Sequence, residues 1–474
     1  MPSTTLSQLA KLISDSVAVI ESSCAKRGVE VPSLESPFDP ASEAFRADPA
    51  TAKAINIASV AALQLNAIIQ PPHVSVFQKC TGHFEAAAIH VLAETNTVEI
   101  LREAGPKGLH VNDISKKNQL DPRKSGDEYP PARLLRYLAT SFMFTEIEPD
   151  VFANNRLSSM LDTGKAPEEL AANPLERHTG FAALMAHEYQ EGAVAITSLL
   201  KTLKDPKTAF SDEPTESPWN VATGATLPYW SHIETPGEED RLHRFSAVMQ
   251  GIAAMLPPGE ILKGFDWKKL TSEDVIVDVG SGVGAISLVL AKEVPDARII
   301  LQDTSPVLEH AQKVWSKEFP AVVESGRVVL QAHDFFTPQP AHNATVFLLK
   351  QILHDWSDPY ASKILSMLRS AATPKTKLII AECLVSYPCR YGEGNNDTIS
   401  VTAKDDAPAP LLANYGPINS TEYILDMTML LLHGAQERTI LQFDRLLKKS
   451  GWKAVRVYRS NSSFLHQIEA VPDL

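Results

Sequence analysis

From Asp274 to the C-terminus, short apolar runs rich in β-branched residues alternate with longer amphipathic stretches. Val275 to Val279, Ala297 to Gln302, Arg327 to Gln331, Thr345 to Leu349 and Lys377 to Val385 read as buried strands. Helices are expected to begin near Gly284, Pro306, Asp358 and Thr421. Strands that are apolar on both faces and separated by helices predict a mostly parallel sheet covered on both sides, an α/β fold. Ala454 to Arg459 and Ser463 to Ala470, joined by Ser460-Asn461-Ser462, are expected to end that sheet as an antiparallel hairpin.

The first half follows a different pattern. An Ala/Ile/Leu-rich stretch from Ala50 to Ile69 predicts a long helix ending before Pro71-Pro72, whose apolar face must be covered by its own subunit or by a second copy. From Ala86 to Met160, short helices lead to Met143 to Glu148, a turn at Pro149-Asp150, and Val151 to Ala153. Helices followed by a hairpin suggest a winged-helix-like module. A Pro/Thr/Ser-rich connector spans Leu200 to Gly237, and a helix from Glu238 to Met255 follows it. The expected division is 1–85 helical, 86–200 winged-helix-like, 201–255 connector and linking helix, and 256–474 catalytic. Cys389 to Ile418, rich in Gly, Asn, Asp, Pro and Ala, reads as a surface loop inserted between a strand and a helix.

A chain of 474 residues fits two or three domains. Its net charge of −13 argues against a nucleic-acid or anionic-lipid partner, since both need clustered Lys and Arg. The winged-helix-like segment itself holds 9 Lys/Arg against 10 Asp/Glu, which leaves no basic face for phosphates. A small-molecule substrate is the expectation. Cys24, Cys80, Cys383 and Cys389 lack metal-ligand spacing and are too sparse for a disulfide framework, so reduced thiols and a cytoplasmic location are expected. The N-terminus lacks the pattern of a secretory signal, no run of about 18 consecutive apolar residues is present, and the triplets at Asn343, Asn396, Asn419 and Asn461 read as chance.

Candidate chemistry begins at Asp278-Val279-Gly280-Ser281-Gly282-Val283-Gly284, a turn between a strand and a helix where missing side chains admit a ligand to the backbone. With Ala285 it also satisfies the dinucleotide fingerprint, and Asp303, at the end of the next strand, would suit ribose hydroxyls under either reading. Asp278 tilts the balance: a carboxylate two residues before the first glycine suits a cationic ligand and opposes a pyrophosphate.

The tract Val275 to Ala311, His333-Asp334-Phe335-Phe336, and Leu349-Lys350-Gln351-Ile352-Leu353-His354-Asp355-Trp356 resembles the class I S-adenosylmethionine-dependent O-methyltransferases of the plant caffeic-acid type and their fungal secondary-metabolism relatives. The resemblance covers nearly the whole chain. It implies a Rossmann-like methyltransferase domain with a mostly parallel seven-stranded sheet, preceded by an α-helical dimerisation region and a winged-helix-like module, in a homodimer. It also implies roles. Asp278, Gly280, Ser281 and Gly282 would line the methionine part of S-adenosylmethionine, Asp303 its ribose, Asp334 and Phe335 its adenine, and Lys350 would contact it too. His354 would be the general base, positioned by Glu382 and Glu437, although the loop before Glu437 is shorter than in the plant enzymes. Phe245 and Met249, four apart on one helix face, would clamp an aromatic acceptor; read alone, such a pair is core packing.

These residue types suit methyl transfer from a sulfonium to a phenolic oxygen, which needs alignment, exclusion of water and a base, with no metal. Competing expectations are non-methylating chemistry on the same fold, pericyclic or decarboxylative, a ligand-sensing regulator, and a dehydrogenase. Retention of His354 and its acids favours methyl transfer over the first.

Overall fold

Alternate residues of a strand face opposite sides, so a strand that is apolar at every position must be covered twice. In the second half of the chain β4 (Val275–Val279), β5 (Arg298–Asp303), β7 (Val346–Lys350) and β8 (Lys377–Cys383) are buried along nearly their full length. A computed structural model describes residues 4–119, 130–177, 180–255, 259–294, 296–390, 400–401, 406–460 and 464–473. Much of the 389–418 segment, including Asn396, and the Asn461-Ser462 joint of the expected hairpin lie outside them. The chain divides into two compact units, Met1–Val194 with Trp230–Met255 and Ala407–Ile418, and Ala195–Tyr229 with Leu256–Asp406 and Asn419–Leu474.

In the first unit the helices Thr5–Arg27 and Pro49–Ile69 pack on each other, capped by the side chains of Thr4 and Asp48. Pro49–Ile69 is long and apolar enough, at a mean hydropathy of 1.4, to cross a membrane by length and composition, yet Lys53, Asn56, Gln64 and Asn66 interrupt it. Leu9, Val60 and Ala61 form a core with Ala407, Leu411 and Tyr415, and Gln64 Nε2 donates to the Pro410 carbonyl at 3.1 Å. The end of the 389–418 segment is therefore not the surface loop its composition suggests: Ala and Leu within the Pro- and Asp-rich run supply an apolar plug. Further along, β1 (Leu109–His110), β2 (Thr145–Glu148) and β3 (Val151–Ala153) form an antiparallel sheet in the order β1-β3-β2, packed with helices around Leu92, Ile100, Ile114, Leu135 and Phe152.

The second unit is an eight-stranded sheet in the order β6-β5-β4-β7-β8-β11-β10-β9, with β6 (Val328–Ala332), β9 (Ser400–Val401), β10 (Trp452–Tyr458) and β11 (Leu465–Pro472). Strands β6, β5, β4, β7 and β8 are parallel, and β11 runs antiparallel to both β8 and β10. The eighth strand, absent from the seven expected, is β9, a two-residue edge strand parallel to β10 and drawn from the segment read as loop. Val277, Val279, Phe347 and Ile380 face a core with helices Asp358–Ala371 and Ile440–Lys449, while Ile276, Ile299, Leu348 and Ile379 face the helices Ala285–Glu293 and Ser305–Glu318. The order reverses at β4, with β5 to one side and β7 to the other, which opens a crevice at the carboxyl ends of these strands. The stretch 195–229 belongs to this unit: Trp219 and Tyr229 are fully buried, and the helix Pro218–Thr223 packs on the helix Thr421–His433.

Candidate active site

β4 runs directly into the glycine turn. Gly280, Gly282 and Gly284 have φ of 70°, 56° and 78°, a left-handed conformation that costs any side chain. A Cβ on Gly284 would lie 2.7 Å from Trp315 Nε1, and one on Gly280 2.5 Å from Ile352 Cδ1, but one on Gly282 meets nothing within 4 Å. Packing against Trp315 and Leu301 thus requires Gly284, Gly280 meets the flexible end of Ile352, and Gly282 faces open space. The Gly282 N–H donates to Asp303 Oδ2 at 2.8 Å and the Thr304 N–H to Oδ1 at 2.7 Å, so Asp303 shapes the turn itself. Burial holds the Asp303 carboxyl above its ordinary range.

Asp278 is buried, and its Oδ2 accepts the Ser287 hydroxyl at 2.6 Å. Burial pushes its carboxyl up to about 6, against the opposing pull of Lys350. Lys350, at the end of β7, is itself held below the ordinary lysine range by burial. Beyond β6, Asp334 is exposed and accepts the Phe336 N–H at 2.9 Å, and the Phe335 ring lies 4.9 Å from Phe336 and 6.0 Å from Trp356, centroid to centroid. The expected cofactor residues therefore gather at the carboxyl ends of β4, β5, β6 and β7. Phe245 and Met249 belong to the other unit, where Phe245 meets Trp230 edge to face at 4.7 Å and Met249 is exposed.

After Lys350 the chain reverses through Gln351, a non-glycine residue at φ 53°, into the single turn Leu353–Asp355. Strain of this kind persists where the surroundings enforce it. Glu382 of β8 does so: its Oε1 accepts the N–H groups of Ile352 at 3.0 Å and Leu353 at 2.8 Å. Arg438 completes the hold, donating to the carbonyls of Leu353 at 2.6 Å and Trp356 at 2.7 Å and to Asp358 Oδ1 at 2.9 Å.

His354 is buried on this turn. Its Nδ1 pairs with Glu437 Oε1 at 2.7 Å and lies 3.8 Å from Glu382 Oε2, while Nε2 is 3.5 Å from Asp355 Oδ1. Burial alone would push the imidazole down, but the carboxylates of Asp355, Glu382 and Glu437 outweigh it and hold its pKa up at about 10. Glu382 is also shifted up, chiefly by burial, so the cluster as a whole retains protons. Glu437 is placed by Asp426, whose Oδ1 accepts its N–H at 2.9 Å. Ligand atoms of His354, Glu382 and Glu437 lie within 4.8 Å of one another, a set that would take a metal ion only if the Nδ1 to Glu437 hydrogen bond broke. Two neighbours escaped the sequence reading: Asp355, adjacent to the base in the same run, and His433, whose Nε2 is 3.7 Å from the same Asp355 oxygen. The adjacency of Asp355 was the available signal; for His433 there was none.

An O-methyltransferase domain family matches residues 202–401. The 4-O-methyltransferase 1 of Phanerochaete chrysosporium is 42% identical over the full length of both chains, and an O-methyltransferase of Armillaria gallica is 38% identical over 98% of this chain and 97% of its own. Among solved structures, the mitomycin 7-O-methyltransferase MmcR is similar at a TM-score of 0.62 and 22% identity, over 85% of this chain and 98% of its own. A pericyclic reaction enzyme is similar at a TM-score of 0.63 and 16% identity, over 98% of this chain and 99% of its own. The structural likenesses show the shared fold, and the full-length sequence likeness shows more: this chain belongs to the O-methyltransferase family.

Proposed function

We propose that this O-methyltransferase transfers the methyl group of S-adenosylmethionine to a phenolic hydroxyl of a small aromatic or polyketide-like molecule, with His354 Nε2 as the acceptor of the phenol's proton. The observation that carries the reading is the fixation of Nδ1 by Glu437, which leaves Nε2 as the nitrogen able to exchange a proton with substrate. The glycine turn fits the cofactor, because the open space at Gly282 adjoins the Asp303 carboxyl, which suits ribose hydroxyls, and the strand leading into the turn carries the Asp278 carboxyl, which suits a cationic amino acid. When bound, S-adenosylmethionine supplies a methyl group already activated by its sulfonium.

What the chain adds is proton management. A phenol has a pKa of about 10, and the carboxylates hold His354 at about 10 as well. Proton transfer between matched groups is nearly free in energy, so the phenolic oxygen gains nucleophilicity where it stands. Phenol with neutral imidazole and phenolate with imidazolium contain the same protons, and the three carboxylates stabilise the second arrangement. The same elevation has a consequence for pH. At neutrality the free imidazole is charged, so reaction requires the loss of one proton from the enzyme-substrate pair, and the rate rises with pH. Pericyclic or decarboxylative chemistry has no observation in its favour beyond the fold, and the intact base argues for transfer.

The unit containing β1 to β3 is proposed to be a winged-helix-like module of structural use, without nucleic acid, in a cytoplasmic, membrane-free homodimer. Its balanced charge supports the first point, four free cysteines support the cytoplasm, and exposed Leu63, Ile68, Ile69, Val76 and Phe77 on the helices Pro49–Ile69 and Pro72–Cys80 support a dimer face. A shift of labelled duplex DNA at physiological salt would reject the structural role, and recovery of the protein in secreted or membrane fractions would reject the location.

Five outcomes are expected. His354→Ala lowers methyl transfer by at least about 100-fold while calorimetry shows S-adenosylmethionine binding unchanged, and the wild-type rate climbs steadily from pH 6 towards alkaline pH; undiminished turnover in the variant, or a plateau reached near pH 7, would contradict the mechanism. Gly282→Ala, which costs about 1 to 2 kcal/mol of backbone strain, weakens cofactor binding more than tenfold. Gly284→Ala adds about 1 to 3 kcal/mol of overpacking against Trp315 and Leu301, so denaturant titration finds it the less stable of the two, and the reverse order would refute the assignment. Light scattering at micromolar concentration gives twice the 51.8 kDa chain mass, and a monomer there would exclude the dimer.

A further inference from the structure

His354 Nε2 faces Asp355 Oδ1 at 3.5 Å, and His433 Nε2 faces that same oxygen at 3.7 Å. One carboxylate is therefore shared between two buried imidazoles, each by its Nε2. His433 ends the helix Thr421–His433, and its ring meets Tyr229 edge to face at 5.4 Å, with Trp219 behind Tyr229 at 5.1 Å. Trp219, Tyr229 and His433 are all buried. This wall comes from the 195–229 stretch, so a segment that looks like a connector in composition fixes the position of the second imidazole.

We propose that His433 is a positioning residue that sets the proton affinity of His354 through Asp355. The inference rests on the reading of His354 as the base. A neutral His433 protonated at Nε2 turns that N–H towards Asp355, at 3.7 Å and short of a hydrogen bond, and draws on its negative charge; a cationic His433 does so more strongly and also repels the proton on His354. Both states act in the same direction, lowering the affinity of His354 for its proton. The remaining charges are arranged on other sides. Glu382 of β8 and Glu437 face Nδ1, and Lys350 acts on Glu382. Asp426, on the helix of His433, is turned to the Glu437 N–H, and Glu422, on the same helix, to the Ser386 N–H. Arg438 and Asp358 pair with each other, and the contact from 195–229 is aromatic. His433 is thus a group placed to oppose Asp355 on the Nε2 side.

Removing His433 takes its opposing N–H or charge away from Asp355, which raises the pH at which the base becomes free. The test is the pH profile of kcat/KM, from pH 6 to 10, for wild type, His433→Leu, His433→Asn and His433→Gln. Glutamine can set an amide N–H near the position of Nε2, whereas asparagine is too short. His433→Leu and His433→Asn are expected to move the rising limb up by about one pH unit, a tenfold loss at neutral pH that shrinks to about fivefold at pH 10, and His433→Gln to return the limb towards wild type. The same displacement is expected in the titration of the His354 ring by NMR without substrate, a readout independent of turnover. Should His433→Leu fail to fold, His433→Asn carries the test. A loss equal at every pH, or an unmoved His354 titration, overturns the proposal; absence of methyl transfer by the wild type, with the ring titration still displaced, would instead count against the proposed reaction.

Discussion

The structure of the site depends on one buried arrangement, a histidine enclosed by three carboxylates. Taking ionised groups out of water costs several kcal/mol each unless they are paired. Here the imidazole lies among Glu437 at 2.7 Å, Asp355 at 3.5 Å and Glu382 at 3.8 Å. Among the described residues, Glu382 Oε2 and Glu437 Oε2 have no hydrogen-bond partner, so their negative charge is left to act on the imidazole. That imbalance raises the proton affinity of His354 towards that of a phenol. A core built for stability alone would have fewer charges there.

The backbone around the cluster follows from the same requirement. Glu382 uses one oxygen to hold the turn that carries His354 and presents the other to the imidazole, so position and charge are set by one side chain. Gln351 accepts a left-handed conformation to bring the turn off β7, and Arg438, buried with its guanidinium on two carbonyls, keeps it there. Each of these residues lies at the carboxyl end of a strand or in a loop beside one. The parallel sheet thus acts as the rigid frame on which the glycine turn and the histidine turn are mounted side by side, β4 and β7 being hydrogen-bonded neighbours.

Much of this was legible in the sequence because the signals were local. The strands β4 to β8 are apolar runs whose period and length admit one reading, and the glycine turn and the run around His354 sit immediately after two of them. Charge partners were harder. Glu437 lies 83 residues from His354, and only resemblance to a family pointed to it. His433 was invisible, because its significance comes from a distance to Asp355 that the fold creates. The stretch 195–229 and the plug 407–418 were misjudged in kind: Pro, Thr, Ser and Asp dominate their composition, but a few buried residues, Trp219, Tyr229, Leu411 and Tyr415, decide where they pack. Composition averages over a segment, whereas burial is decided residue by residue. The eighth strand was missed for the same reason, since two residues carry no period.

The central claim is that the carboxylates, rather than burial, govern the charge on His354. Titration of its imidazole by heteronuclear NMR in the free enzyme, assigned with His354→Ala, reads that charge directly. The ring should remain protonated throughout neutral pH and lose its proton near pH 10. Deprotonation at or below the ordinary histidine value of about 6.5 would show that burial wins over the carboxylates, and the account of the base would fail.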